Sequence, residues 1–293
     1  MTLNLTNRID EGATSTVYKF TLRKKAAAVK LYKKQFGKKK ITAVVQKLKA
    51  LRHPNIVRLR GYSTRPSALI FEYCEAVVEG EIVHNLAELL AVKNGNEIYN
   101  FEERLGYVLQ MSKAIQYLHE KDIVHQDIKP GNILVQGNGQ DVIIKICDFD
   151  DVVVLKATIT CTLTSVFKGM TLGYTAPELC NGKVKKASIL TDVYSLAMSI
   201  YEILSSQPFP WLNVLPVLND TLLLEALKEN QRPSFDNIEQ LYPCDVSRVT
   251  GLIEKCWSSD ELIRLKVSQV LRLSLFCSCY KIYFSLCLKD NYF

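Results

Sequence analysis

Acidic residues are absent from a long stretch near the start of this 293-residue chain. Residues 12–71 contain sixteen Lys and Arg and no Asp or Glu, whereas the rest of the chain has 21 basic and 30 acidic residues. The formal net charge of +7 therefore combines a basic first quarter with an acidic remainder. Such a split can mark a surface for an anionic partner, such as nucleic acid or a lipid headgroup. Aromatic residues are sparse among these lysines and no nucleic-acid motif accompanies them, so we expect a solvated surface and no nucleic-acid binding.

The cysteines lack the spacing that a zinc site would need. There are nine, an odd number, and their scatter shows no paired C-x-x-C motifs. The chain is also too long to need disulfides for its stability, so we expect a reducing, cytoplasmic location. The first residues show no basic leader followed by a long apolar run, and we expect no secretory signal.

Long apolar runs are scarce as well. The one candidate membrane segment, residues 273–288, has sixteen residues interrupted by Lys281, whereas a spanning helix needs roughly 20. We expect no span there. Three roles stay open for residues 273–293: packing against the rest of the protein, a lipid-modified membrane contact, or an irregular terminus.

The remaining composition is that of a globular protein. A hydrophobic fraction of 48% and a charged fraction of 23% exclude disordered, collagenous and coiled-coil chains. The length allows one large domain or two lobes that share a core. The pattern changes near residue 72, because short β-like runs (16–22, 26–32 and 69–71) dominate before it and longer helices follow it. This change predicts a small β-rich lobe followed by a larger helical one.

Individual elements are predicted within each lobe. In the first lobe, apolar residues at helical spacing in 41–51 predict one helix that ends before His53-Pro54. In the second, apolar stripes predict a helix over 105–118, preceded by a capping Asn100, and a central helix from Asp192. Between these helices, residues 133–135 and 142–146 predict a β-hairpin. The threonine-rich stretch 151–174 lacks periodicity and predicts a long functional or mobile loop.

Residues suited to phosphoryl transfer occupy two short segments. In the sequence Val-His-Gln-Asp-Ile-Lys-Pro-Gly-Asn that starts at residue 124, Asp127 offers a base, Lys129 a cation for phosphate and Asn132 a metal ligand. Sixteen residues after Asn132, Asp148 follows a strand and offers a carboxylate suited to holding magnesium against phosphates. A lone Asp is usually a turn or helix cap, but this order and spacing indicates phosphoryl-transfer chemistry.

On these residues the chain resembles the eukaryotic protein kinase family over nearly its whole length. Residues 9–17 are similar to the glycine-rich loop over the ATP phosphates, and Ala28-Val29-Lys30 is similar to the strand that carries the phosphate-pairing lysine. The resemblance implies an α+β, two-lobed protein kinase fold in a single domain of residues 1–293. Its parts would be a small β-rich N-lobe (1–71), a hinge with a larger, mainly α-helical C-lobe (72–272) and an apolar tail (273–293).

The resemblance also implies which residues form the site. Asp127 and Lys129 would be catalytic, and Asn132 and Asp148 would bind Mg²⁺. The implied ATP-binding residues are Gly12, Val17, Ala28, Lys30, Glu72, Cys74 and Leu134. Three further implied features are a gatekeeper at Phe71, an activation segment from Asp148 to Ala176-Pro177-Glu178, and pairing of Glu178 with Arg264.

The implied function is transfer of the γ-phosphoryl group of ATP to Ser or Thr of protein substrates in intracellular signalling. Lys129 and Thr171 are similar to the residues of serine/threonine kinases, and the segment around Cys256-Trp257 resembles the tyrosine-kinase-like branch of that group. The resemblance implies nothing definite about the oligomeric state.

Four departures from the family pattern keep a pseudokinase, acting as a binding or allosteric scaffold, as the alternative. The most serious is Val44, nine residues before His53, where the family has a glutamate that pairs with the lysine. Without it, Lys30 would depend on the ATP phosphates, on Asp148 or on Gln46. Two further departures are Asp10 and Ser15 at two glycine positions of the loop, and Gln126 in place of the arginine before the catalytic base. The last is Asp150, which stands where the family has a glycine after Phe149 and so reduces the conformational freedom of the backbone there.

Overall fold

The computed structural model describes residues 7–94, 101–139, 141–155, 171–180, 187–215, 217, 219–242 and 247–272. Several predictions from the sequence lie outside these residues: the capping Asn100, most of the threonine-rich loop with the threonines from Thr158 to Thr164, and the tail from residue 273.

The first part of the chain forms a five-stranded antiparallel sheet of order β1-β2-β3-β5-β4. Its strands are β1 (Arg8–Glu11), β2 (Ser15–Leu22), β3 (Lys25–Tyr32), β4 (Leu59–Thr64) and β5 (Ser67–Glu72). Strands β2, β3 and β5 agree with the prediction. Strand β4 was missed because Leu59 is its one buried residue and Gly61 interrupts it, so it has no apolar alternation.

One helix, α1 (Lys38–Ala50), packs with this sheet. Its apolar residues recur every three or four positions, which gives it one buried face made of Ile41, Val44, Val45 and Leu48. The helix ends at Ala50, shortly before His53-Pro54, as the sequence predicts. Its first turn carries three lysines and no acidic residue, a charge arrangement that opposes the helix dipole. Packing of the apolar face must therefore stabilise α1.

The second part of the chain is mainly helical around a small sheet. Its helices are α2 (Leu86–Asn94), α3 (Phe101–His119), α4 (Pro177–Cys180), α5 (Ile189–Ser205), α6 (Asp220–Lys228), α7 (Asp236–Leu241) and α8 (Ser247–Cys256). Its strands are β6 (Ala76–Val78), β7 (Glu81–Val83), β8 (Ile123–Val124), β9 (Ile133–Asn138), β10 (Asp141–Ile146) and β11 (Val153–Val154). Strands β9 and β10 form the predicted hairpin within a sheet of order β10-β9-β6-β7. A second pair joins β8 to β11.

Helix α5 is the centre of the C-terminal core. Every residue from Thr191 to Ser205 is buried, which a helix can tolerate only when other elements surround it. Its start is fixed by a capping box between Ser188 and Thr191. Among the described residues, no helix has the length and apolarity needed to cross a membrane.

Strand β10 connects the two lobes just before the predicted magnesium ligand. The backbone N–H of Val57 donates to Ile146 O at 3.0 Å, and the N–H of Ile146 donates to Asn55 O at 2.9 Å. The buried side chain of Asn55 also donates to Ile144 O at 2.9 Å. These bonds hold the end of β10 against the N-terminal lobe, so Asp148 emerges at the junction of the lobes.

A buried carboxylate makes the stability of this core depend on pH. Glu202 lies inside α5, where burial raises its pKa to about 8 although the Tyr174 hydroxyl donates a hydrogen bond to it. A carboxyl group whose pKa is raised in the folded state does not lower the free energy of unfolding at pH values below its unfolded-state pKa, which is roughly 4.5. The cost then grows with pH until the folded-state pKa is passed.

Glu202→Gln is therefore expected to gain stability relative to the parent protein as pH rises from about 5 to 8, by on the order of a few kcal/mol. Gln keeps an acceptor for Tyr174 without a charge. Urea unfolding at several pH values measures the difference. The exposed Glu254→Gln on α8 is the matched control, and parallel curves for Glu202→Gln and the parent would contradict the expectation.

Candidate active site

A cleft of about 840 Å³ lies between the N-terminal sheet and the C-terminal lobe. All the site residues implied by the sequence line this cleft: Gly12, Val17, Ala28, Lys30, Glu72, Cys74, Asp127, Lys129, Asn132, Leu134 and Asp148. Alternation along β3 turns Ala28 and Lys30 to the same face of the sheet, while Val29 faces away and is buried. The fold therefore brings together residues that are up to 136 positions apart in the sequence.

Asp127 lies in a tight set of polar contacts. Lys129 Nζ is 3.0 Å from each of its carboxylate oxygens. The same ammonium donates to Thr171 Oγ1 at 2.5 Å, and the Thr171 hydroxyl is 3.4 Å from Asp127 Oδ1. A base, a cation and a hydroxyl therefore meet at one point of the cleft.

Asn132 fixes this arrangement from the other side. Its amide nitrogen donates to the backbone oxygen of Asp127 at 2.8 Å and also to Asp127 Oδ2. The residues between them form a short turn that begins after Lys129 with Pro130, whose fixed φ suits the first helical position. The loop is thus held by its own side chains.

Asp192 anchors the same loop to the core and was not predicted as a site residue. Its buried carboxylate accepts the backbone N–H groups of His125 at 2.8 Å and Gln126 at 2.9 Å, and it lies 2.9 Å from His119 Nε2. A buried carboxylate is tolerated only with such partners. Gln126 takes a positive φ of 73° at this point. Apart from its match to the start of the central helix, the sequence gives no signal of this role.

Lys30 pairs with two carboxylates from the segment after β10. Its Nζ lies 2.7 Å from Asp148 Oδ1 and 2.8 Å from Asp150 Oδ2. Burial alone would lower the pKa of Lys30, but the charges of the two carboxylates outweigh it and raise that pKa. Lys30 therefore stays fully charged between these two carboxylates.

Of the partners that the sequence suggested for Lys30, Asp148 is found and Gln46 is not. Gln46 is exposed on α1, and Val44 is packed into the core. Asp150 was missed as a partner because its replacement of a glycine suggested only a stiffer backbone. The available signal was its position two residues after Asp148, in the segment that enters the cleft.

The residues implied for magnesium suit that ion chemically. The amide nitrogen of Asn132 is engaged by Asp127, which leaves its amide oxygen for a cation. Asp148 is held by Lys30 through Oδ1 and remains partly exposed. Within the described part of the chain, no three or more His, Cys, Asp or Glu residues are grouped to hold a metal ion. Magnesium usually takes only one or two protein ligands beside phosphates and waters, so this donor set fits it.

Around Asp148, the acidic side chains that line the cleft outnumber the basic ones. Burial, together with the charges of Asp148 and Asp150, raises the pKa of Asp151 to about 7. In contrast, Lys30 lowers the pKa of Asp148 against the opposing effect of burial. Such a surface favours a polyanionic ligand only when a divalent cation accompanies it.

The loop between β1 and β2 closes the cleft and carries an extra charge. The backbone N–H of Gly12 donates to Ser15 O at 2.9 Å, which closes a tight turn. Asp10, at a position where the family has glycine, lines the cleft and accepts the N–H of Glu11 at 2.8 Å. An anion at this place repels the phosphates of a nucleotide.

Asp10→Asn is expected to tighten binding of ATP by about two- to fivefold, because an exposed charge of this kind is worth up to about 1 kcal/mol. Titration of the protein with a fluorescent ATP analogue in the presence of Mg²⁺ measures the change. The gain should shrink at high salt. Glu81→Gln, on the exposed surface of β7, should bind the analogue as the parent does; equal affinity of Asp10→Asn and the parent would contradict the expectation.

Comparisons with known proteins agree with this geometry. The sequence model of the protein kinase domain matches residues 3–276. The chain is 26% identical to mitogen-activated protein kinase kinase kinase 7 of Homo sapiens over 269 residues, which are 90% of this chain and 40% of that protein. It is 31% identical to mitogen-activated protein kinase 8 of Oryza sativa over 206 residues, 69% of this chain and 34% of that protein. The chain thus spans about two fifths or less of these relatives.

Proposed function

The chain belongs to the protein kinase family, and on this premise we propose that it transfers the γ-phosphoryl group of ATP to Ser or Thr residues of protein substrates. The observation that carries the proposal is the contact set of Asp127, in which Lys129 bridges the carboxylate to Thr171. A base paired with a cation at the same point suits in-line transfer to a hydroxyl. The names of the relatives, a mitogen-activated protein kinase kinase kinase and a mitogen-activated protein kinase, favour a role in signalling.

Asp127 acts as the base in this mechanism. Its carboxylate accepts the proton of the substrate hydroxyl as the oxygen attacks phosphorus. Asn132 orients the carboxylate, and Asp192 holds the preceding backbone in place. Lys129, 3.0 Å away, neutralises charge on the transferring phosphoryl group. Most of the rate enhancement then comes from positioning and electrostatics.

Lys30 holds the nucleotide from the N-terminal lobe. Its ammonium is charged and points into the cleft beside Asp148, where it attracts the α- and β-phosphates. Asn132 and Asp148 would hold magnesium, which neutralises the phosphate oxygens when it is bound. These residues keep ATP aligned with the base.

The test is phosphate incorporation from γ-labelled ATP into protein substrates that offer Ser, Thr and Tyr, followed by phosphoamino-acid analysis. We expect label on Ser and Thr that depends on Mg²⁺ and disappears with a chelator. Asp127→Asn sets the background. Equal, background-level incorporation by both proteins would replace the enzyme with a scaffold, and a thermal shift with Mg²⁺ and ATP would then report whether that scaffold binds nucleotide.

We also propose a cytoplasmic location. It is supported by the odd cysteine count and by the free thiols of the described cysteines Cys74, Cys147, Cys180 and Cys256. Fractionation of cells that express a tagged full chain tests this proposal. Recovery of the protein in the secreted or membrane fraction would contradict it.

A further inference from the structure

Two side chains of strand β3 share one carboxylate from the opposite lobe. Tyr32 Oη donates to Asp150 Oδ1 at 2.6 Å, while Lys30 Nζ lies 2.8 Å from Asp150 Oδ2. Lys30 and Tyr32 are two residues apart in β3, so they project from the same face of the strand. Both Tyr32 and Asp150 are buried. Each oxygen of Asp150 thus has its own partner, which fixes the orientation of the carboxylate.

We propose that Asp150, oriented by Tyr32, is the positioning residue that aims Lys30 at the nucleotide phosphates. The inference rests on the proposed kinase function. It gives Asp150, two residues after the magnesium ligand Asp148, the pairing with Lys30 that a glutamate on the helix equivalent to α1 provides in the family. The position on α1 is occupied by Val44, which is buried in the core.

The buried ammonium of Lys30 needs an anionic partner, and Asp150 provides one. The side chain of Lys30 is only 13% exposed, and a buried ammonium without an anionic partner is costly. Residues 12–71 contain no carboxylate at all, and the two carboxylates that contact Lys30 come from the other lobe. Asp148 is one of them, but magnesium would draw on the same carboxylate. Asp150 is not among the residues implied for magnesium, so its carboxylate can stay paired with Lys30.

The position of Lys30 depends on the element that supplies its carboxylate partner. Asp150 is joined through Phe149 to Asp148, so the lysine and the magnesium ligand are set by the same three-residue segment. A displacement of α1 would leave the contacts of Lys30 with Asp148 and Asp150 intact. Correct aim of Lys30 therefore depends on the arrangement of residues 148–150 and on the hydroxyl of Tyr32.

The first experiment removes the charge or its orienting bond. Asp150→Asn is expected to lower kcat by about tenfold, because Lys30 is then held less precisely. The KM for ATP should change less, because the loss of a negative charge also reduces the repulsion of the ATP phosphates. Tyr32→Phe should lower kcat about threefold. Asp141→Asn and Tyr62→Phe, both on exposed positions of strands, are the matched controls. A kcat for folded Asp150→Asn within twofold of the parent would overturn the proposal.

The second experiment moves the carboxylate to α1. Asp150→Gly should lose activity as Asp150→Asn does, whereas Val44→Glu in that background should recover at least fivefold. In the parent background, Val44→Glu should give no gain, because Lys30 already has its partners. A role of Asp150 in packing alone would not be rescued by a carboxylate from another element. A folded Val44→Glu/Asp150→Gly double variant with no recovery would overturn the proposal.

A third readout does not depend on phosphoryl transfer. Thermal unfolding of Lys30→Met, Asp150→Asn and the combination should show coupling, so that the double variant is destabilised less than the two single shifts predict together. Additive shifts would overturn the pairing. If the parent incorporates no more phosphate than Asp127→Asn while the coupling is present, the proposed enzyme function fails and the pairing of Lys30 with Asp150 stands.

Discussion

Asp127→Asn is expected to lower kcat for phosphorylation of a protein substrate by about 10²- to 10⁴-fold, which is the usual contribution of a general base. The amide has no carboxylate to take the hydroxyl proton. It also leaves Lys129 with one oxygen acceptor where it has two at 3.0 Å. Initial rates with labelled ATP at saturating substrate measure the loss.

The fold should survive this change. Asn is nearly isosteric with Asp, and Asn132 retains its bond to the backbone oxygen of residue 127. The affinity for an ATP analogue should therefore stay within about threefold of that of the parent, which separates chemistry from binding. Asp141→Asn, exposed on β10, serves as the control and should keep full activity. A loss of less than tenfold for folded Asp127→Asn would contradict the assignment of Asp127 as base.

Much of the site could be predicted because its residues sit in short, ordered segments. Asp127, Lys129 and Asn132 lie within six residues of one another, and their spacing along the chain reflects one turn. Local spacing therefore indicated that the three residues lie together on one loop. The strands with strong apolar content, β2 and β3, were predicted for the same local reason.

What could not be predicted depends on contacts between distant parts of the chain. Asp192 contacts the loop from 67 and 66 residues away, through backbone N–H groups that any residue possesses. Asp150 reaches Tyr32 across 118 residues. Neither contact follows from residue type or from spacing, because both depend on how the lobes pack. The absence of acidic residues in 12–71 indicated that the partner of Lys30 comes from elsewhere, and Asp148 was predicted as one such partner, but Asp150 was not.

The ion pair between Glu178 and Arg264 ties the short helix α4 to the segment after α8. The Arg264 guanidinium donates to both carboxylate oxygens of Glu178, at 2.7 and 2.8 Å, in the bidentate arrangement that makes such pairs strong. Arg264 also donates to Ser258 O at 2.8 Å and lies over the ring of Tyr194. The guanidinium is fully buried, so its charge depends on Glu178 for compensation.

Glu178→Gln is therefore expected to lower the free energy of unfolding by about 3–5 kcal/mol, the usual cost of removing one partner from a buried pair. The neutral amide offers a single acceptor oxygen and leaves the charge of Arg264 unbalanced. Urea unfolding followed by fluorescence measures the loss. A simultaneous Glu178→Leu/Arg264→Met replacement should be less destabilised than Glu178→Gln, because the uncompensated charge is then removed.

The exposed pair of Arg8 and Glu11 provides the contrast for this prediction. Its two atoms are 2.7 Å apart, as close as those of the buried pair, but both side chains are about half exposed. Water already solvates these charges, so Glu11→Gln should leave the urea midpoint unchanged. If Glu178→Gln and Glu11→Gln had equal effects, the charge of Arg264 would have to be compensated by its other contacts, Ser258, Leu190 and the Tyr194 ring. The comparison therefore tests whether burial, and not the distance between the charged atoms, determines what an ion pair contributes to the stability of this fold.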